Sequence, residues 1–305
     1  MSVTADLAAA VDCGTNSTRL LIAGPEGDIV RRAVVTGLGR DAGPSGLHPG
    51  SVERTLDVLA DFRTELDRHH VTRLRAVTTA AAREAPDGAA FVEAAAAVLG
   101  VVPRMVSGAE EGRLAFAGAV ADLPPTTDPY LLIDIGGGST ELVLGVERAE
   151  DWVSLPMGSV RYTAEFIRRD PPAPEELSAL LSLVDLHMDD VRREHPGMAG
   201  EVAAVGVAGT ITTVAAVEIG LLVYDPEVIH HFVLTRAAAE DVFRTMATEC
   251  LADRVHNPGL PRERADVIVA GCAVLVGIMR YFGLDRLVVS EHDLLDGVIA
   301  ADQWP

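Results

Sequence analysis

One pattern constrains this chain more than any other. A short apolar strand ends in Asp-x-Gly, turns through small and hydroxyl residues, and returns as a second strand. It occurs twice. Leu7 to Val11 runs into Asp12-Cys13-Gly14-Thr15-Asn16-Ser17 and returns through Arg19 to Ala23. Tyr130 to Ile133 runs into Asp134-Ile135-Gly136-Gly137-Gly138-Ser139-Thr140 and returns through Glu141 to Val146. Short apolar runs bounded by turn residues read as strands. Two copies at a domain-sized interval predict two related domains rather than a solenoid.

The segments downstream of each copy fit that division. After the first, the turn Gly24-Pro25-Glu26-Gly27 predicts a hairpin onto a third strand, Ile29 to Val35. Ser51 to Arg68 reads as an amphipathic helix with Ser51 as its N-cap. A strand (Arg73 to Thr78), an Ala-rich helix (Asp87 to Leu99) and a strand (Val101 to Val106) complete the first set. After the second copy come a strand (Trp152 to Pro156), a helix (Glu175 to His195) and a strand (Val202 to Val207). Helices over Arg236 to Cys250 and Arg264 to Phe282, a strand (Arg286 to Ser290) and a helix (Leu294 to Ala301) close the chain. This order predicts an α/β fold of mixed sheets flanked by helices. Pro124-Pro125-Thr126-Thr127-Asp128-Pro129 is the expected boundary, giving domains over 1–126 and 127–305, with the final helix packing back on the first.

Each Asp-x-Gly turn suits a phosphate. Gly136, Gly137 and Gly138 let the backbone approach a ligand closely, and their N–H groups can converge on phosphate oxygens. Ser139 and Thr140 add hydroxyl donors, and Glu141 adds a carboxylate to Asp134. Two carboxylates beside such a turn match Mg2+, which takes oxygen ligands and keeps waters. The first copy repeats the logic: Gly14 for close approach, Thr15, Asn16 and Ser17 as donors, Arg19 behind them, and Asp12 as a further carboxylate. Gly209 and Thr210 begin a third Gly/Thr turn, between a strand and a helix whose N-terminus favours anions. Glu110 and Glu111 start another helix. Acids there complement the helix dipole, and they are also candidates to orient or deprotonate a water. Arg83 and Arg161 suit bidentate phosphate contacts, or surface ion pairs.

Charge narrows the field. The net charge is −20 and every basic side chain is Arg, with no Lys. A Walker-type lysine is therefore absent, which excludes a P-loop kinase or ATPase. An acidic surface repels nucleic acid and anionic membranes, so neither is an expected partner. A phosphate site must be a local island of Arg, amides and metal. The pairs His69-His70 and His230-His231 lack metal-ligand spacing and read as surface or packing residues. Cys13, Cys250 and Cys272 form no CxxC and read as reduced thiols, and no basic n-region precedes the first apolar residues. A cytoplasmic location is the expectation. The longest apolar run, Val267 to Met279, reads as a buried helix.

The segments DCGTNSTRLLI, TTAAAREA, VSGAEEGRLAF, LLIDIGGGSTELV, SLPMGSVRYTAEF, GVAGTITTVAA, ERADVIVAG and VVSEHDLLDG together resemble the exopolyphosphatase / guanosine pentaphosphate phosphohydrolase family. That family lies within the actin, Hsp70 and sugar-kinase superfamily. An Asp-x-Gly loop alone marks only the superfamily; DIGGGSTEL following SGAEEG is much more specific. The resemblance implies two ribonuclease-H-like domains around a cleft. It implies Glu111 as the residue that activates or orients water, and Asp134 and Glu141 as servants of metal and phosphates. Gly14 to Ser17 with Arg83 would hold phosphates from one side, and Gly136 to Ser139 from the other. It implies metal-dependent release of the terminal phosphate of inorganic polyphosphate, with Mg2+ as cofactor, Mn2+ as its substitute, and a homodimer. The chain matches the short form, so short polyphosphates are the expected preference. Guanosine pentaphosphate 5'-phosphohydrolase and a non-catalytic sensor of guanosine penta- or tetraphosphate stay open beside it. Three positions depart from the family pattern: Thr79-Ala80-Ala81 loses a hydroxyl, Gly112 replaces Ala after Glu111, and Thr15 stands where Ser is common.

Overall fold

The computed structural model describes residues 7–124, 128–302 and 304. The expected domain boundary, between 126 and 127, lies outside the described residues. In the first half, β1 (Ala8–Cys13), β2 (Ser17–Gly24) and β3 (Gly27–Val35) form an antiparallel meander. Then come α1 (Pro49–Arg68), β4 (Arg73–Thr78), α2 (Ala80–Glu84), α3 (Gly88–Leu99), β5 (Arg104–Met105) and α4 (Gly108–Val120). β4 pairs parallel to β1 and β5 parallel to β4, so the sheet order is β3-β2-β1-β4-β5.

The second half repeats the plan. Its meander is β6 (Tyr130–Ile135), β7 (Thr140–Gly145) and β8 (Ala149–Leu155). There follow α5 (Ser159–Phe166), α6 (Pro174–Glu194), β9 (Ala203–Val207), α7 (Ala208–Ile219), α8 (Pro226–Ile229) and β10 (Val233–Thr235). The chain closes with α9 (Arg236–Thr248), α10 (Leu251–Arg254), α11 (Ile268–Tyr281), β11 (Arg286–Val289) and α12 (Leu294–Ala300). The sheet order is β10-β11-β9-β6-β7-β8. Counted from the meander, β8-β7-β6-β9-β11 matches β3-β2-β1-β4-β5, with β10 added antiparallel at the edge. The α/β class with two mixed sheets is the one expected.

β1 and β6 are buried along their whole length, because helices cover both faces at the centre of each sheet. They deliver Asp12 and Asp134 near their C-terminal ends. α11 is buried from Ile268 to Met279, as its apolar run predicts, and no helix among the described residues is long and apolar enough to cross a membrane. Some expectations shift. α1 starts at Pro49 and His48 caps it, its Nδ1 accepting from the Gly50 amide at 3.2 Å. Proline takes the first helical position because it needs no N–H there, so Ser51 lies inside the helix. Of the strand expected over Val101 to Val106, only Arg104–Met105 pairs. α5 and β10 have no counterpart among the expected elements: one has eight residues and the other three, too short for a periodic signal.

α4 and α12 join the halves. α4 follows the first sheet but packs on β6, β7 and β8, while α12 returns to α4, β1 and β2. Phe116 on α4 and Leu294 on α12 share a core with Leu21 and Val77 of the first sheet and with Leu132 and Val143 of the second. The crossing is glycine-dependent. A Cβ on Gly118 would lie 2.0 Å from the Asp293 carbonyl oxygen, and one on Gly297 would lie 1.9 Å from that of Leu114. Gly297→Ala must push two helices apart, so we expect a loss of about 1–3 kcal/mol or more in a denaturant melt. Gly43→Ala, where the added Cβ meets open space, is the control and should stay within about 0.5 kcal/mol.

Candidate active site

The two Asp-x-Gly turns have one geometry. The Gly14 amide donates to the Ser17 carbonyl at 3.0 Å, and the Gly136 amide donates to the Ser139 carbonyl at 3.0 Å. In each, the turn's carbonyls are taken by the segment after the third strand. Gly37 and Gly39 donate to Asn16 and Thr15 at 2.9 Å each; Ser159 and Val160 donate to Gly136 and Gly137 at 3.0 and 2.9 Å. The amides are left over. Among the described residues, those of Thr15, Asn16, Gly137, Gly138 and Ser139 donate to no backbone carbonyl. Convergent unpaired amides make an anion-binding concavity.

The turns also face each other. A Cβ on Gly137 would lie 3.0 Å from the Asn16 amide nitrogen, and one on Gly138 would lie 2.8 Å from Thr15 Oγ1. The departure at Thr15 is absorbed locally, because its methyl occupies the space that a Cβ on Gly39 would need, 2.5 Å away. Gly112 serves a similar purpose: a Cβ there would lie 2.9 Å from Val143 Cγ2, so glycine lets α4 sit close on β7.

Between the turns lies a cavity of about 60 Å³. Asp12, Gly14, Thr15, Asn16, Ser17 and Arg19 line one side; Asp134, Gly136, Gly137, Gly138 and Ser139 line the other, with Glu111 and Thr210 at the flank. Four expected residues stand outside its wall. Thr140 Oγ1 donates to the Met157 carbonyl at 2.6 Å and braces the turn from behind. Gly209 makes room for the Arg264 guanidinium, which a Cβ there would meet at 2.2 Å. Arg83 donates to the Val106 carbonyl at 2.9 Å and lies 3.5 Å from Glu111 Oε2. Glu141 is buried behind Asp134 and accepts from Ser154 Oγ at 2.7 Å. Arg161 forms the ion pair of its two readings, with Glu84 at 2.5 Å.

The adjacent acids of α4 divide. Glu110 completes a capping box with Ser107 and pairs with Arg104, and those partners hold its pKa low. Glu111, one position on, is buried at the cavity. Burial and then the charges of Glu141, Asp134 and Asp12 push its pKa well above the usual carboxylate range. Arg264, which sequence reasoning does not single out, also lines the cavity. It stands on the short turn before α11, inside the ERADVIVAG segment, and its hydrogen bond goes to Ser17 Oγ at 3.2 Å. Ser159, Thr79 and Ala208 join it, Ala208 in the left-handed region at φ 67°. The pair His230-His231 has a different partner. His230 Nε2 sits 2.7 Å from Asp122, and its Nδ1 accepts from the Glu291 amide at 3.1 Å, which keeps the ring proton on Nε2.

Strand register sets the electrostatics. Asp12 lies opposite Arg19 in the β1–β2 ladder; at the matching place in β6–β7, Asp134 lies opposite Glu141. Arg19 Nε and Nη2 reach Asp12 Oδ2 at 3.0 and 2.8 Å, and Nη1 pairs with Asp293. Its guanidinium is thus held by two carboxylates where it lines the cavity. The second copy has two acids and no arginine in this place. Directly opposed like charges are destabilising. Burial, then the charges of Glu141 and Asp293, raise Asp134 well above its ordinary value. Burial lifts Glu141 to about 7, and hydrogen bonds from Ser154 and Ser139 restrain it.

These acids fit a divalent cation. Asp12 Oδ1 is buried without a hydrogen-bond partner, an unfilled acceptor beside the cavity. Asp12, Asp134 and Glu141 do not form a ready three-carboxylate cage: among the described residues, the only triads with ligand atoms within 4.8 Å of one another are Asp122/His230/His292 and Asp28/His292/Asp296. A cation here would take one or two carboxylates and fill its other positions with water and phosphate oxygens, as Mg2+ commonly does.

Comparison with known proteins gives a consistent result. Residues 29–303 match the Ppx/GppA phosphatase family. Exopolyphosphatase 2 of Mycobacterium tuberculosis is 36% identical over 95% of this chain and 96% of its own length. The guanosine-5'-triphosphate,3'-diphosphate pyrophosphatase of Vibrio parahaemolyticus is 28% identical over 96% of this chain and 58% of its own. The solved PPX-GPPA enzyme of Aquifex aeolicus superposes with a TM-score of 0.79 at 32% identity, covering 96% of this chain and 98% of that one.

Proposed function

Because the chain belongs to the Ppx/GppA phosphatase family, we propose that it hydrolyses the terminal phosphoanhydride bond of inorganic polyphosphate in the cleft between its two sheets. The observation that carries this reading is the pair of facing turns with unpaired amides beside the buried carboxylate of Glu111. The amides of Thr15 and Asn16 on one side and of Gly137 to Ser139 on the other grip the terminal phosphate oxygens. Arg264 adds positive charge from the flank. Glu111 accepts the proton of the attacking water, a role that its burial at the cavity and its raised pKa suit. Arg83, 3.5 Å from Glu111, holds that carboxylate in place. Asp134 and Asp12 would hold the cation, with Glu141 behind them. When bound, Mg2+, or Mn2+ in its place, supplies charge neutralisation for the phosphoryl oxygens. A homodimer belongs to this reading through the family resemblance, and a cytoplasmic location through the unpaired cysteines.

One observation favours the second substrate class. A larger cavity of about 620 Å³ opens beside the first, shares Arg19, Ala208 and Arg264 with it, and is lined by Tyr224. It has room for a nucleoside, as guanosine pentaphosphate would require. Orthophosphate release from polyphosphates of defined length and from guanosine pentaphosphate, with Mg2+ and with a chelator, tests both. We expect release from short polyphosphate that stops with the chelator. A higher kcat/KM for guanosine pentaphosphate would reassign the substrate, and no release from any of them would favour the sensor.

A further inference from the structure

Asp12 and its ladder partner Arg19 have an unusual geometry for an arginine–carboxylate pair. The guanidinium fork ordinarily engages both carboxylate oxygens. Here Arg19 directs Nε and Nη2 to the same oxygen, Oδ2 of Asp12, and leaves Oδ1 buried and unpaired. The third nitrogen, Nη1, is held by Asp293 Oδ2. Asp293 comes from the far end of the chain, 274 positions away. Its other oxygen is fixed, since Oδ1 accepts from the Leu295 amide at 3.0 Å at the start of α12. Its backbone is fixed as well, because α4 packs on its carbonyl through Gly118. Asp293 is therefore a rigid anchor on which the Arg19 fork turns.

We propose that Asp293 is a positioning residue for the cation site: by holding Arg19 on Oδ2 of Asp12, it keeps Oδ1 available to a divalent cation or to a water of its shell. The proposal rests on the metal-dependent reading of this cleft. Without Asp293, the fork is free to rotate onto both oxygens of Asp12 and fill the acceptor that the cation needs. Partners one layer behind a metal ligand typically set metal affinity by about 10- to 100-fold. The arrangement also ties the site to the joint between halves, since α12, carrying Asp293, and α4, carrying Glu111, meet at the glycine crossing.

The test is binding of Mn2+ to the full chain without substrate, followed by the electron paramagnetic resonance signal of the free ion. Asp293→Asn keeps a capping side chain and removes the charge, and a thermal melt in parallel reports folding. We expect its Mn2+ dissociation constant to rise at least about 10-fold. The effect must run through Arg19, so in an Arg19→Gln background the same substitution should change nothing further. Unchanged affinity in Asp293→Asn would overturn the proposal, and so would an equal loss in both backgrounds, which would mark a general charge effect. If Asp293→Asn does not fold, Asp293→Ser reads the same contact: its hydroxyl can still cap the Leu295 amide but is too short to hold Arg19, so weaker Mn2+ binding is expected, and unchanged binding would refute the idea. A wild-type chain that binds no Mn2+ would defeat the metal-dependent reading itself, whereas wild-type binding with an insensitive Asp293 would defeat only this proposal.

Discussion

Glu111→Gln should lower kcat for phosphate release by about 10²- to 10⁴-fold, the range that a positioned general base supplies. The substitution is nearly isosteric and removes only the carboxylate's capacity to take a proton. Glu111 is 9% exposed and lies at the cavity, so the amide meets the same neighbours. KM should change little, because the amides of the two turns, not Glu111, grip the phosphates. The same change at Glu110 is the contrast. That residue caps α4 and pairs with Arg104 at its rim, so Glu110→Gln should cost some stability and little turnover. Steady-state release of orthophosphate measures both. Wild-type kcat in Glu111→Gln would remove the base assignment.

The second large effect is on stability and requires no substrate. In the metal-free protein, thermal stability should rise as pH falls from about 8 to about 5.5. The sign comes from Glu141, which burial lifts from 4.5 to about 7. Between those values the folded chain holds a proton that the unfolded chain has lost. The folded state binds more protons there, so stability falls as pH rises through this window, and the contribution of Glu141 levels off above about 7. Glu141 alone corresponds to roughly 3 kcal/mol. Glu111, Asp134 and Asp12 are also raised, mainly by burial, and act in the same direction. Carboxylates held low, such as Glu110 and Asp122, act oppositely, but only below their unfolded values near 4. Saturating Mg2+ should flatten the profile and stabilise most at high pH. Melting temperatures in chelator that stay level or climb with pH would contradict the charge assignment.

Much of the molecule is readable from residues alone, for physical reasons. The doubled strand–Asp-x-Gly–strand pattern carries its own register, so the two sheets, their central strands and the facing turns come directly from it. Glu111 is less direct. Adjacent acids at a helix start look alike in sequence; only the capping box, which engages Glu110, separates them. Arg19 looks like a phosphate contact because its charge is visible in the sequence and its partner Asp293 is not. Their pairing spans nearly the whole chain, and nothing local encodes it. Arg264 escapes a sequence reading for the same reason: it enters the cleft from the segment before α11. Gly209 and Thr140 suggest ligand contacts because glycine and threonine mark phosphate turns; that Gly209 makes room for a guanidinium and Thr140 braces a carbonyl depends on segments distant in sequence.

If this cleft removes phosphate from the end of a phosphoanhydride chain with the help of a bound cation, the products must show it. The most direct measurement is to incubate the purified protein with polyphosphate of one defined short length and resolve the products by gel electrophoresis over time. We expect orthophosphate together with chains shortened one unit at a time, with both ceasing on chelation. Mid-length fragments from internal cuts, or shortening that persists in chelator, would contradict it.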